Sequence, residues 1–439
     1  MQNEFKFKIR NFGPINKANF DLNNLTVVGG VNGSGKSFSA RLLFCIITAL
    51  SDEGRRIDND SVKNLFIDFI KRYGLNLSVI SSDSVKNDKS ILTSKLNVLM
   101  ESWQDFDVSY EFLDGFYKKF EEILKEFDFN NENLEHDFKN IRNVIDTHSN
   151  ELQYIISVLR FLLMTEFGPD QLSNFDGADV SITMEDQDCE IEYDMQFTAE
   201  SLTINMNNKN KLTCREFSNV IYMDSMSAMD FQLTGQNIHY HYISLMNYLT
   251  RMKPMNTNGV YDNINEIMSI NKQFNDMLNG TFKLNSNNIF TFESNGTPYD
   301  VKNIASGYKQ IGVLQRLLNN NQISGKTLLI LDEPETNLHP GFQIRLANIL
   351  IRMIKELNLM VYVNSHSPYI IEALEIYSKK EGIEKNTNFY MCESINEDEN
   401  LFDINLIDRD DLKILYDNLS DPFRVINDIR FENEINDLD

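Results

Sequence analysis

The segment Gly30-Val31-Asn32-Gly33-Ser34-Gly35-Lys36-Ser37-Phe38 carries the spacing of a phosphate-binding loop. Its glycines let successive backbone N–H groups converge on one anion. Lys36 adds a cation able to reach β- and γ-phosphates, and the Ser37 hydroxyl is a magnesium ligand in that pattern. The pattern has meaning only between a strand and a helix. Here the apolar run Leu25-Thr-Val-Val28 precedes it, and an apolar helix is expected from about Lys36 to Leu50.

A second chemical string lies far downstream. Leu328-Leu-Ile-Leu331 ends in Asp332 and Glu333, two carboxylates at the end of an apolar strand. One carboxylate in such a pair can hold the shell of a magnesium ion while the next takes a proton from attacking water. Asp332 is assigned the metal role and Glu333 the base role. Alone, an acidic pair after a strand is weak evidence, but a phosphate loop in the same chain strengthens it.

The elements that must position these residues divide the chain into five stretches. Residues 1–50 read as a hairpin, a buried strand and the phosphate loop; 51–175 as a helical insertion; and 176–224 as antiparallel strands. Residues 225–288 read as a second helical segment, and 289–439 as a C-terminal αβ lobe holding the acid pair. In the insertion, Phe112, Phe116, Phe120, Ile123 and Leu124 recur at helical spacing, without enough heptads for a long coiled coil. Trp103 and the neighbouring phenylalanines are read as that lobe's core rather than as a base-stacking surface.

Four strings in this order resemble the ABC-type ATPases of the Rad50, SMC and OLD group, as found in bacterial and archaeal anti-phage systems. The stretch Asp332-Glu-Pro-Glu-Thr-Asn-Leu-His-Pro340 is similar to their Walker B and D-loop, and Asn364-Ser-His366-Ser-Pro-Tyr369 to their switch-histidine segment. Ala305-Ser306-Gly307-Tyr-Lys-Gln310 resembles a degenerate ABC signature, with Tyr308 and Lys309 in place of the usual Gly-Gln ending. The resemblance implies an α/β fold, a P-loop ATPase head of mixed and parallel core sheet with an antiparallel subdomain and a helical lobe. It also implies ATP and Mg²⁺ as ligands, with His366 contacting the γ-phosphate. Ser306 and Gly307 would grip the nucleotide of the opposite subunit in a head-to-tail homodimer or higher even oligomer.

The resemblance leaves two positions open. Asn11-Phe12 is followed by Gly13 where relatives often carry a basic residue, so that contact is lost or passes to Arg10. Gln187 and Gln196 are the candidates for a Q-loop glutamine, and each reads as a surface residue. OLD proteins carry a Toprim nuclease after the ATPase. With about 70 residues after His366, a separately encoded effector, nuclease or toxin, is expected instead.

Composition narrows the partners. A formal net charge of -24 repels nucleic acid and anionic membrane surfaces, so contact with nucleic acid requires a local basic patch. The gap between phosphate loop and signature is far longer than in a transporter's motor subunit. Direct DNA-end tethering, as in repair heads, and a nucleotide-locked scaffold with little turnover are the rival readings. Scattered cysteines, no signal peptide and no long apolar run point to the cytoplasm and to no membrane association. His239 and His241 are read as packing residues rather than a metal pair, because no third ligand lies near them in sequence.

Overall fold

The computed structural model describes residues 4–51, 151–168, 172–186, 189–198, 201–208, 217–224, 239–253, 264–285, 289–396 and 400–419, with parts of 63–143 and residues 426 and 429. Two compact units result, one of Met1–Asp52 with Leu159–Asp439 and one of Glu53–Val158.

In the larger unit, strands β1 (Glu4–Phe12) and β2 (Ile15–Asp21) form an antiparallel hairpin whose burial alternates, as a sheet with one wet face requires. Strand β3 (Leu25–Gly29) is buried at every position and feeds helix α1 (Lys36–Leu50). In the smaller unit, helix α2 (Tyr110–Glu126) sets Phe116 and Phe120 edge-on against Phe66, with ring centroids at 4.9 and 5.1 Å. Trp103 and Phe112 are among the residues whose side chains lie outside the described ones.

Helix α3 (Glu151–Phe167) enters the larger unit at Leu159. It is followed by β4 (Asp179–Asp186), β5 (Cys189–Phe197), β6 (Leu202–Asn208) and β7 (Asn219–Met223), then helices α4 (Tyr240–Thr250) and α5 (Ile264–Leu278). A small antiparallel sheet of β8 (Thr281–Leu284), β9 (Phe290–Ser294) and β10 (Thr297–Asp300) leads to α6 (Ser306–Asn319). The last part alternates strand and helix as β11 (Thr327–Asp332), α7 (Pro340–Leu357), β12 (Met360–Ser365) and α8 (Pro368–Lys380). It closes with the hairpin β13 (Thr387–Asn396) and β14 (Leu401–Ile407).

Among the described residues the main sheet has eleven strands in the order β6-β5-β4-β1-β2-β14-β13-β3-β12-β11-β7. The half from β13 to β7 is parallel and covered on both faces, which is why β3, β7 and β11 are apolar runs without alternation. Strand β7 belongs to this half. The sequence groups it with the antiparallel strands of 176–224, but it lies parallel to β11 at the opposite edge from β4 to β6. Its five uniformly buried residues fit only a two-faced core.

Candidate nucleotide site

Sheet register builds the site. Gly29 on β3 lies opposite Ser365 on β12, and Asn364 on β12 lies opposite Asp332 on β11. Three adjacent parallel strands therefore end at one edge, about 4.8 Å apart in the hydrogen-bonding direction. The phosphate loop, the acid pair and His366 emerge side by side from that edge.

The loop is shaped by close approach. A Cβ on Gly30 would sit 2.8 Å from the Cβ of Cys392 on β13, and one on Gly35 2.9 Å from Ile15. Gly35 caps α1 in the left-handed region at φ 87°, with no side-chain hydrogen bond to the helix N-terminus and no acidic residue in its first turn. The free N–H groups and the helix dipole favour an anion there. Lys36 is buried, and its Nζ donates to the carbonyls of Gly30 at 2.8 Å and Val31 at 2.7 Å. Burial lowers its pKa, while Cys392, Glu333, Asp332 and Glu335 favour its charged form. Asn32 and Gly33 are exposed and Ser34 is buried. Ser37 is half-buried one residue into α1, and the Phe38 ring packs on Phe12 and Phe167, leaving only its backbone to face a phosphate.

Asp332 is buried and accepts from the Tyr222 hydroxyl at 2.7 Å and from Asn364 Nδ2 at 2.9 Å. Both donors are neutral, so the carboxylate is oriented without being cancelled, which suits an oxygen ligand for a hard cation. Glu333 adopts φ 54°, a left-handed conformation uncommon for a residue with a Cβ, and its N–H donates to Asn364 O at 3.0 Å. This backbone turn swings Glu333 out of the strand line, where it is half-buried. Its pKa is lowered by His366 and Lys36, so it stands as a carboxylate.

His366 holds its Nδ1 3.6 Å from Glu333 and 3.5 Å from Glu335, ion-pair distances without a hydrogen bond to either. Glu333 raises its pKa. The residue that fixes this loop is Glu335, which sequence reasoning does not single out. One buried oxygen of Glu335 accepts from the Ser365 hydroxyl at 2.7 Å, His366 N at 2.9 Å and Ser367 N at 3.2 Å. The acid string and the histidine string are thus tied by a single carboxylate. The only trace of this in sequence is a third acidic residue two positions after the pair.

Ser306 and Gly307 open α6, whose N-terminus has no side-chain cap. A Cβ on Gly307 would meet Asn337 O at 2.5 Å, so this helix start packs against the loop after the acid pair. Arg10 on β1 and Gln196 on β5 are exposed, and Gln187 lies outside the described residues. No described helix is long and apolar enough to cross a membrane.

Comparison with known proteins adds a family to this geometry. Among solved structures the chain is similar to an SMC head domain from Thermotoga maritima, at 12% identity and TM-score 0.39, over 93% of this chain and 100% of that one. It is also similar to an Smc head bound to the C-terminal domain of ScpA derived from Pyrococcus furiosus, at 9% identity and TM-score 0.42, over 98% and 100% of the two chains. No curated protein matches it. The profile of the AAA ATPase domain matches residues 5–371, and the chain, with its phosphate loop and acid pair at one sheet edge, belongs to that family.

Proposed function

We propose that this chain binds and hydrolyses ATP with Mg²⁺ and closes head to tail with a second copy around the nucleotide. Through that cycle it controls a separately encoded nuclease or toxin, in anti-phage defence or nucleic-acid surveillance in the cytoplasm. One arrangement carries the ATPase reading: β3, β12 and β11 end together, so that the Asp332 and Glu333 carboxylates favour the charged form of Lys36 while Glu333 and His366 favour each other's. The dimer and the effector rest on the resemblance to OLD-type and SMC heads.

Ser37 and Asp332 would hold magnesium, which when bound neutralises charge on the phosphates. The loop from Asn32 to Phe38 supplies N–H groups to the phosphates, and Lys36 exchanges its two carbonyl partners for phosphate oxygens. Glu333, ionised and half-buried, takes the proton of the attacking water. His366, held at its backbone by Glu335, reports on the γ-phosphate. Ser306 and Gly307 approach the nucleotide held by the other copy.

The test is Glu333→Gln, assayed by steady-state phosphate release and by light scattering with ATP. Turnover should fall about 10²- to 10³-fold, while nucleotide binding persists and ATP drives a stable dimer. Hydrolysis at the unaltered rate would remove Glu333 from the base role. A chain that stays monomeric with ATP bound would remove the head-to-tail closure.

A further inference from the structure

Behind Asp332 lies a second cluster that the nucleotide chemistry does not use. Its centre is His241 at the start of α4, buried and tilted against Tyr222 with ring centroids 4.8 Å apart. Tyr242 and Phe44 close the other sides, at 4.1 and 6.3 Å. Glu166, near the end of α3, is equally buried. Its Oε2 lies 2.7 Å from His241 Nδ1, and its Oε1 accepts from the His241 backbone N–H at 2.9 Å. His239 joins them, its Nδ1 3.7 Å from Glu166 Oε2 and 3.0 Å from the Thr165 carbonyl. A ligand atom from each of Glu166, His239 and His241 lies within 4.8 Å of the others. The third ligand absent from the local sequence comes from a helix more than seventy residues earlier.

A neutral His241 satisfies only one side of this cluster; an imidazolium donating to both Glu166 and Asp224 satisfies it, and so does a bound metal cation. If neutral His241 donates from Nδ1 to Glu166, its Nε2 is a buried acceptor without a hydrogen bond, 3.6 Å from the Asp224 carboxylate. Acceptor then faces acceptor in a site closed to water. A cation on Nδ1 resolves this, because Nε2 then carries the proton and turns it toward Asp224, the carboxylate–histidine–metal relay seen around bound metals. Separations of 2.7, 3.0 and 3.7 Å bracket the edge of about 3.4 Å expected between ligands around a tetrahedral ion with bonds near 2.0–2.1 Å. The His239 side chain is 38% exposed and gives an ion its way in.

We infer that Glu166, His239 and His241, with the Thr165 carbonyl beside them, form a binding site for one divalent transition-metal ion of the zinc type, separate from the magnesium site at Ser37 and Asp332. Two imidazoles and one carboxylate suit such a borderline ion better than magnesium or calcium. The site ties the end of α3 to the start of α4. Through His241 it also braces Tyr222, the hydrogen-bond donor to Asp332.

The experiment uses the full chain without a polyhistidine tag, stripped with a chelator and titrated with Co²⁺ and Zn²⁺. Visible absorption and elemental analysis are the readouts. One ion per chain should bind, with the cobalt bands of a four-coordinate nitrogen and oxygen site. His239→Ala, at the exposed edge, should weaken binding about 10- to 100-fold without unfolding the chain, and Lys36→Ala should leave it unchanged. Zinc should raise the melting temperature of the unaltered chain and not of His239→Ala. Absence of binding at micromolar metal would overturn the site, as would equal affinity in His239→Ala. An imidazolium alone, with both His241 nitrogens protonated in the presence of zinc, would also overturn it.

Discussion

Among the described residues, His366 and His241 each stand between two carboxylates, and their surroundings are built in opposite ways. At the sheet edge, the His366 ring holds Nδ1 3.6 Å from Glu333 and 3.5 Å from Glu335, beyond hydrogen-bond distance of both, and 40% of its side chain is exposed. Around α4, His241 is fully buried, 2.7 Å from Glu166 and 3.6 Å from Asp224, walled by aromatic rings. The same residue types thus give a loose, wet group and a tight, dry one. Looseness leaves a side chain free to change partner when a phosphate arrives; tightness fixes helices to each other. Mutations in the two clusters should accordingly appear in different measurements.

The largest effect belongs to the open centre. Lys36→Ala should weaken ATP binding by about a hundredfold or more, since a charge-assisted contact to phosphate in a water-poor cradle is lost. The urea midpoint should move little, because Nζ is held by loop carbonyls and the Ser34 hydroxyl, which water can reach in its place. Fluorescent-nucleotide titration beside urea unfolding checks both halves. A large loss of stability with binding intact would make Lys36 a structural lysine and erase the contrast.

Next comes the closed cluster. Glu166→Ala, measured with chelator present, should cost about 2–4 kcal/mol of stability, because it strips the acceptor from both the Nδ1 and the backbone N–H of a buried histidine. Turnover per folded molecule should change by less than about tenfold, as Glu166 touches no residue of the loop or the acid pair. Urea unfolding and phosphate release on the same preparation separate the two quantities.

A pH series sharpens the comparison further. Glu333 raises the pKa of His366 above its ordinary 6.5, and His366 lowers that of Glu333 below its ordinary 4.5. The histidine's share of stability is therefore fully present below pH 6.5 and is lost as pH rises through its raised value. The glutamate's share is present above 4.5 and is lost as pH falls through its lowered value. In the nucleotide-free chain, unfolding measured from pH 6 to 9 should show a small alkaline loss of stability that His366→Gln reduces. Loss of stability toward acid across pH 6.5 would reverse the sign and break the pairing.

What the sequence revealed divides along the same line. The phosphate loop is one contiguous segment whose function resides in glycine spacing, and the acid pair ends an apolar strand, so both can be read locally. The partners that hold them cannot. Asp332 depends on Tyr222, separated by 110 positions, and His241 depends on Glu166, separated by 75. Glu335 bonds the histidine loop across 30 to 32 positions through sheet register alone. A carboxylate three residues past a strand looks like any solvated turn until β12 is placed beside β11. Likewise β7 reads as one more strand of a run because its partner, β11, lies more than a hundred residues downstream.

The smallest expected effect tests whether the two clusters speak to each other at all. Tyr222 touches both, its hydroxyl donating to Asp332 and its ring lying against His241. Tyr222→Phe removes one oxygen and keeps the ring, so the closed cluster retains its wall. Asp332 keeps Asn364 as its donor and loses one of two bonds, costing about 0.5–1.5 kcal/mol. A carboxylate with one fewer donor is freer to turn and holds more of its charge for a cation. The Mg²⁺ needed for half-maximal turnover should then shift by two- to fivefold while maximal turnover stays within about threefold. If zinc on the second site alters the magnesium requirement of the unaltered chain but not of Tyr222→Phe, the hydroxyl is the coupling between a cluster built to hold and one built to move. If the magnesium requirement is the same in both chains, Tyr222 is a packing residue and the clusters are neighbours without influence on each other.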